Sequence, residues 1–231
     1  MGVPYPADGV TWTWTGKLEP DDVIVLEFNL GGYVVSSKPY TIPSGKSGAT
    51  GGCDADLSKL KKVSGAREEY YVDVTGLKQG PYITWYDDAR AKMNSKGCYQ
   101  NNLKVGESIV YYENGNIWSR GYMKDDRQNG EWSEYWENGN IWFKGYYADS
   151  KEIGNWTYYY ENGMIMSKGS YKGGGNRIAT GEWIEYYENG KISRKGDYED
   201  GKQIGRWTYY DENGKITRQE DCVDDVCTEI K

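Results

Sequence analysis

An Asn-Gly dipeptide preceded by Glu returns five times at nearly constant spacing, and no other feature of this sequence constrains the fold as much. It stands at Asn114-Gly115, Asn138-Gly139, Asn162-Gly163, Asn189-Gly190 and Asn213-Gly214, in steps of 24, 24, 27 and 24 residues. A glycine opens each unit eight residues before that Asn: Gly106, Gly130, Gly154, Gly181 and Gly205. A degenerate copy opens at Gly80, with Asp88-Ala89 in place of Asn-Gly. Six copies therefore run from about Gly80 to Arg218, and the longer step is explained by extra residues at Gly173-Gly174-Gly175-Asn176. A period of this length marks a repeat architecture, in which each unit buries its apolar face against its neighbours.

The shared pattern reads Gly-x-Trp-x-x-Tyr-Tyr-Glu-Asn-Gly-x-Ile-x-x-Lys-Gly-x-Tyr. Asn-Gly between two aromatic, strand-forming runs predicts a β-hairpin closed by a two-residue type I′ turn, because both residues tolerate positive φ. On that register Glu137 opposes Asn140, Trp136 opposes Ile141, Tyr135 opposes Trp142, and Trp132 lies across from Gly145, where an indole can cover bare backbone. Strand alternation then gives two faces. One carries Trp132, Trp136, Ile141, Gly145 and Tyr147 and their equivalents, and is expected to be the packed interior. The other carries Tyr111, Tyr135, Tyr159, Tyr186 and Tyr210 beside Arg120, Lys144, Lys168 and Lys195, whose aliphatic stems can lie over the rings.

The predicted fold is all-β: an elongated antiparallel meander of about six hairpins, with a small β-rich N-terminal module. Residues 1–75 lack the period and form that module, and residues 76–231 form the repeat domain with a C-terminal cap. Within the first part, strands are expected at Val10–Thr15, around Val23–Leu26 and at Glu69–Val74. Between the last two of these lie a Gly/Ser/Pro loop at Thr41–Gly52 and a short helix over Asp54–Val63, with Asp54 or Asp56 near its cap. Asp211 replaces the recurrent aromatic in the last copy and, with the segment Cys222 to Cys227, marks the cap.

Several function classes are disfavoured. The chain has no histidine, which removes the commonest general base near neutral pH and the commonest zinc ligand. The recurrent Glu113, Glu137, Glu161, Glu188 and Glu212 each flank a hairpin turn and read as structural. No nucleophile elbow, phosphate-binding loop or calcium loop is present, and no CxxC pair suggests zinc. No catalytic residue, metal site or cofactor is expected. A net charge of −7 argues against nucleic acid and for a basic protein partner. No stretch is apolar enough for a membrane helix.

The four cysteines suggest two bridges, Cys222 with Cys227 across a short loop and Cys53 with Cys98 tying the N-terminal region to the first repeat. An even count fits a periplasmic or otherwise extracytoplasmic protein. Four reduced thiols in the cytoplasm is the alternative. The opening Met1-Gly2-Val3-Pro4-Tyr5-Pro6 reads as a mature start behind an added initiator, with a signal segment removed.

One position changes from copy to copy: Trp118, Trp142, Met166, Ser193, Thr217. Core positions of a repeat converge on one residue type, so divergence points to a partner or to a second packing surface against residues 1–75. The candidate partner-binding set is Trp118, Trp142 and Met166, the tyrosines placed opposite them (Tyr111, Tyr135 and Tyr159), and the loop residues Asp125, Asp126 and Asp149.

Segments such as Glu131-Trp132-Ser133-Glu134-Tyr135-Trp136-Glu137-Asn138-Gly139 and Glu182-Trp183-Ile184-Glu185-Tyr186-Tyr187-Glu188-Asn189-Gly190, with the trailing Gly196-Asp197-Tyr198, resemble MORN-type repeats. The likeness is to the bacterial variant labelled as a YwqK-family antitoxin, and it covers roughly Gly80 to Arg218. The resemblance implies a non-enzymatic scaffold that binds other proteins, with an immunity or antitoxin role toward a cognate toxin. A cell-envelope scaffold holding glycan or lipid headgroups on an aromatic face is the alternative.

Overall fold

The computed structural model describes residues 53–230 apart from Asn176, together with the backbone of four short strands between residues 23 and 41. Those strands are β1 (Val23–Ile24), β2 (Glu27–Leu30), β3 (Tyr33–Ser36) and β4 (Tyr40–Thr41), paired β1 with β4 and β2 with β3. The strand expected at Val10–Thr15 and most of the loop expected at Thr41–Gly52 lie outside the described residues.

A 15-stranded antiparallel sheet follows, in strict sequence order. It starts with a hairpin of β5 (Lys61–Ser64) and β6 (Glu68–Val72). The six repeats are six hairpins. The first three are β7 (Lys78–Trp85) with β8 (Met93–Gln100), β9 (Leu103–Tyr111) with β10 (Ile117–Lys124), and β11 (Arg127–Tyr135) with β12 (Ile141–Ala148). The last three are β13 (Lys151–Tyr159) with β14 (Ile165–Tyr171), β15 (Ala179–Tyr186) with β16 (Ile192–Glu199), and β17 (Lys202–Tyr210) with β18 (Ile216–Val223). The last strand is β19 (Val226–Glu229). Thus β5 and β6, read from sequence as part of the N-terminal module, join the same sheet as the repeats. Of the helix expected over Asp54–Val63 only a 3₁₀ turn, Leu57–Lys59, forms, with the Asp56 side chain accepting from the Ser58 N–H at its start, because Lys61–Val63 pair with β6 as strand β5 instead.

The Asn-Gly turns are not two-residue turns. The Trp136 N–H donates to Asn140 O at 2.8 Å, and the Gly139 N–H donates to Trp136 O at 2.9 Å. The loop is Glu137-Asn138-Gly139, with only Gly139 at positive φ (+89°), a three-residue turn ending in a glycine bulge. The same bonds recur at Tyr112, Tyr160 and Tyr187. Two-residue turns with positive φ at both positions sit at the other strand ends: Asn101-Asn102, Asp125-Asp126, Asp149-Ser150, Asp200-Gly201 and Asp224-Asp225. Four of these five turns contain no glycine, because Asx side chains tolerate this conformation, and so no Asn-Gly marked them in the sequence.

Packing concentrates on one face. Trp132 pairs with Gly145 across β11 and β12, as the period predicted. The ring that covers Gly145, however, is Trp156 of the next hairpin. Trp132 covers Gly121, Trp183 covers Gly169 and Trp207 covers Gly196 in the same manner. Opposite Gly145, three residues of β13 (Gly154, Asn155 and Trp156) occupy the space of one. The opening glycine of the unit adopts positive φ within this bulge, +60° at Gly154. The two glycines of each unit therefore have separate reasons, one backbone conformation and one missing side chain.

The result is a zipper of alternating rings along the array. Tyr147 meets Trp156 edge-on at 5.0 Å between centroids, Trp156 meets Tyr171 at 6.0 Å, Tyr171 meets Trp183 at 5.2 Å, and Tyr198 meets Trp207 at 5.1 Å. Offset and edge-to-face geometries suit the ring quadrupoles. Trp156 and Trp207 are each only 1 % exposed. The zipper is closed at both ends. Ala55, Leu57 and Leu60 lie over Gly80 at the N-terminal side, where the Cys53–Cys98 disulfide anchors them to β8. A second disulfide, Cys222–Cys227, joins β18 to β19. Both bridges are the ones expected from sequence.

Candidate binding face

The bulge near each Asn-Gly turn moves the changing position to a different face from the one expected. Tyr135 pairs with Ile141 and Glu134 pairs with Phe143, so Trp142 is an extra residue between them. Its ring lies 5.3 Å from that of Trp136 and 5.2 Å from that of Phe143. Phe143 belongs to the buried cluster with Trp132, Tyr147 and Trp156. Trp142 therefore stands on the aromatic face. Tyr111, Tyr135 and Tyr159 pair with Ile117, Ile141 and Ile165 instead of with the changing residues. They share the opposite face with the lysines, and Lys144 lies over the Tyr159 ring at 6.0 Å. Among the described residues nothing seals Trp118 or Trp142, which remain 43 % and 36 % exposed, and Met166 is half-buried.

The aspartates are a third group, at the far strand ends. Asp125 and Asp149 are exposed, and Asp149 lies 3.7 Å from Arg127. Asp126 has structural work: its carboxylate accepts the Lys104 N–H at 2.8 Å, while its own N–H donates to Lys104 O at 3.1 Å. The nine candidates thus fall on two faces and one rim, not on one patch.

A row of divergence passed over in the sequence runs across the aromatic face. Cross-strand pairing links Thr84, Ser95, Val110, Ser119, Glu134 and Phe143 one to the next. The same chain of pairs continues through Tyr158, Ser167, Glu185, Arg194, Tyr209 and Arg218. Paired residues share a face, so these twelve form one line perpendicular to the strands. Trp142 and its equivalents flank the line on the Asn-Gly side, and the unchanging Trp-Gly zipper flanks it on the other. The signal was available: positions 119, 143, 167, 194 and 218 carry Ser, Phe, Ser, Arg and Arg.

The electrostatics of the row follow from burial. Half-buried Glu134 titrates above the usual carboxylate range because desolvation penalises its charge, an effect that Arg177 partly offsets. Arg177 comes from the lengthened fourth connection. Its Nε donates to Glu152 at 3.0 Å, and that pairing holds its own pKa up. Burial also raises the Tyr158 hydroxyl, which lies 3.2 Å from that of Tyr171. The face combines aromatic surface, one disfavoured carboxylate and two guanidinium groups. Near the far end, Glu220 lies beside Cys222 and Cys227, but the two sulfurs are bonded to each other and supply no thiolate for a metal.

The same geometry explains the shared residues as links between repeats. The aromatic before each turn Glu reaches the next repeat's backbone: Tyr112 Oη donates to Tyr135 O at 2.7 Å, Tyr160 to Tyr186 O at 2.7 Å, and Tyr187 to Tyr210 O at 2.7 Å. Five segments, residues 104–125, 128–149, 152–172, 179–200 and 203–221, match the MORN repeat variant. Five of the six hairpins, from β9 to β18, are thus similar to MORN-type repeats. A search of curated proteins finds no match. Repeats of this kind point to a repeat-type binding protein, and among the described residues no helix is long and apolar enough to cross a membrane.

Proposed function

We propose that this MORN-repeat chain is a non-enzymatic protein that recognises another protein along the divergent row of its aromatic face. One observation carries the reading: cross-strand neighbours on one line differ from copy to copy, while the Trp-Gly zipper beside them repeats. Ser119 and Phe143 are buried in the packing, but at exposed or half-buried members of the line such as Glu134, Ser167 and Arg218 the periodic zipper gives no reason to vary, whereas a non-periodic partner supplies one. Exposed Trp118 and Trp142 beside the line are suitable anchors, since a few aromatic residues commonly dominate interface energy.

The finer proposal is that the partner is a bacterial toxin whose active-site mouth this chain occludes, an immunity or antitoxin role supported by the likeness to the YwqK-type sequences. A net charge of −7 would steer a basic partner, with exposed Asp125 and Asp149 at the rim. Two disulfides support an oxidising, extracytoplasmic compartment.

The test is capture of the partner from the native host, followed by binding measurements on Trp118→Ala and Trp142→Ala. Each is expected to lose about 2 kcal/mol of affinity while melting like the parent protein. Unchanged affinity in both variants would remove the aromatic face from the proposal. Failure to protect cells expressing the captured protein would remove the antitoxin role.

A further inference from the structure

The last two hairpins break the pattern of the changing position in a way that makes a receptor. Trp118, Trp142 and Met166 are large, whereas Ser193 and Thr217 are small. Their size leaves an open hollow of about 400 Å³ lined by Tyr187, Ser193, Arg194, Tyr209, Thr217 and Arg218, among others. The residue after each changing position is Ser119, Phe143 or Ser167 in the earlier copies and becomes Arg194 and Arg218 here. The substitutions come together: where the bulky residue is lost, a guanidinium group is gained.

The geometry fixes both guanidinium groups. Tyr209 pairs with Arg194 on one side and Arg218 on the other. The arginines are thus two strand spacings apart, roughly 9–10 Å. Arg218 lies over the Tyr209 ring at 4.1 Å and Arg194 lies over Trp207 at 5.6 Å, contacts that orient a planar fork. Glu185 meets Arg194 Nη2 at 2.5 Å, and Glu220 meets Arg218 Nη1 at 3.4 Å. Each arginine is thus paired with a carboxylate beside the hollow, and neither carboxylate is among the lining residues. In a chain of net charge −7, this recess is lined by two cations and no anion.

We propose that this hollow receives a carboxylate side chain of a bound polypeptide. The proposal rests on the reading of the aromatic face as protein-binding and gives that face a polarity: aromatic anchors at Trp118 and Trp142, an acid-accepting socket at Arg194 and Arg218. A carboxylate fits because the guanidinium fork binds it through two parallel hydrogen bonds. Tyr187 and Tyr209 offer ring surface for the methylene groups of an acidic side chain. The recess opens onto the sheet surface, which suits a side chain of a docked segment better than a small molecule, whose sites enclose most of the ligand.

The test uses the full chain and end-blocked tetraglutamate, with end-blocked tetraglutamine and inorganic phosphate as comparisons. The readout is the Nε–H signals of Arg194 and Arg218 by NMR at low salt. Tetraglutamate is expected to shift both signals and tetraglutamine neither. Arg194→Gln and Arg218→Gln should each weaken binding by about tenfold or more, since hydrogen bonds to charged groups carry that magnitude. Ser193→Trp refills the hollow with the residue found at positions 118 and 142, and should abolish the shifts without unfolding the array. Equal shifts with tetraglutamine, shifts that survive Ser193→Trp, or tighter binding of phosphate would each overturn the proposal. Silent arginine signals would overturn it too, even if Trp142→Ala still weakened partner capture. Capture unaffected by both Trp118→Ala and Trp142→Ala would instead sink the face itself.

Discussion

Gly145 lies beneath the indole of Trp156, so closely that an added Cβ would fall inside the ring's van der Waals shell. The two residues belong to successive hairpins, so the contact is a joint between repeats. Gly145→Val is expected to cost ~1–3 kcal/mol or more, the usual range for overpacking. Because neighbouring repeats supply each other's cooperativity, the denaturant transition should also broaden, with a lower m-value. Ser193→Val, at an open position, should stay within ~0.5 kcal/mol of the parent. Chemical denaturation of both variants decides the matter; equal losses would show that the ring does not depend on the bare glycine.

A second joint runs along the turns. Asn138 Oδ1 accepts the Asn140 N–H at 2.8 Å within its own loop, while Nδ2 donates to Glu161 O of the next loop at 3.0 Å. Asn114 and Asn189 reach Glu137 O and Glu212 O in the same way. Asn138→Asp keeps the acceptor and removes the donor, so it should cost about 1 kcal/mol, the typical net value of one hydrogen bond. Asn213 belongs to the last loop and has no following repeat to reach, so Asn213→Asp should be nearly neutral. Thermal melts of the two variants compare one residue type at one turn position, with and without a neighbour.

The period, the hairpins and the pairing of Trp132 with Gly145 were legible because each is written in side-chain identity at fixed spacing, but the ring that covers Gly145 comes from the next hairpin, which no spacing within one unit reveals. The offset at the turns was not. Nothing in Glu137-Asn138-Gly139 distinguishes a three-residue loop from a two-residue one, and a slip of one residue exchanges the faces. That slip placed Trp142 among the tyrosines instead of beside Phe143, and it hid the line through Glu134 and Arg194. Asp126, exposed as expected of a loop tip, also holds a bond that the sequence did not reveal. An acidic residue at a loop tip reads as solvent-facing charge, and only the neighbouring hairpin reveals its bond to the Lys104 N–H.

The two disulfides should contribute unequally. Cys53 and Cys98 are 45 residues apart in sequence and Cys222 and Cys227 only 5. Loop-closure entropy then gives roughly 4 kcal/mol for the first and about 2 kcal/mol for the second. Cys53→Ser with Cys98→Ser should lower the melting temperature more than Cys222→Ser with Cys227→Ser. It should also raise amide exchange first around Gly80, where Ala55 and Leu57 would lose their tether. A larger loss from the C-terminal pair would mean that the array is held chiefly from its Cys222 end.

Glu134 offers a test that separates stability from binding. Burial raises its pKa in the folded state, so the folded chain holds the proton more tightly than the unfolded one. Stability therefore falls as pH rises from the unfolded carboxylate value, about 4.3, through the raised folded value. Glu134→Gln removes the titration. The variant should match the parent near pH 4 and exceed it in melting temperature at pH 7, the gap opening across that window. A residue that costs the fold something at neutral pH, on the line where repeats diverge, is what a binding surface contains when function opposes stability. The same variant should accordingly bind the captured partner more weakly. Melting curves from pH 4 to 8 and one affinity measurement at pH 7 complete the test. A variant that is stabilised and binds as well as the parent would remove Glu134 from the interface, leaving its charge as a cost without a function.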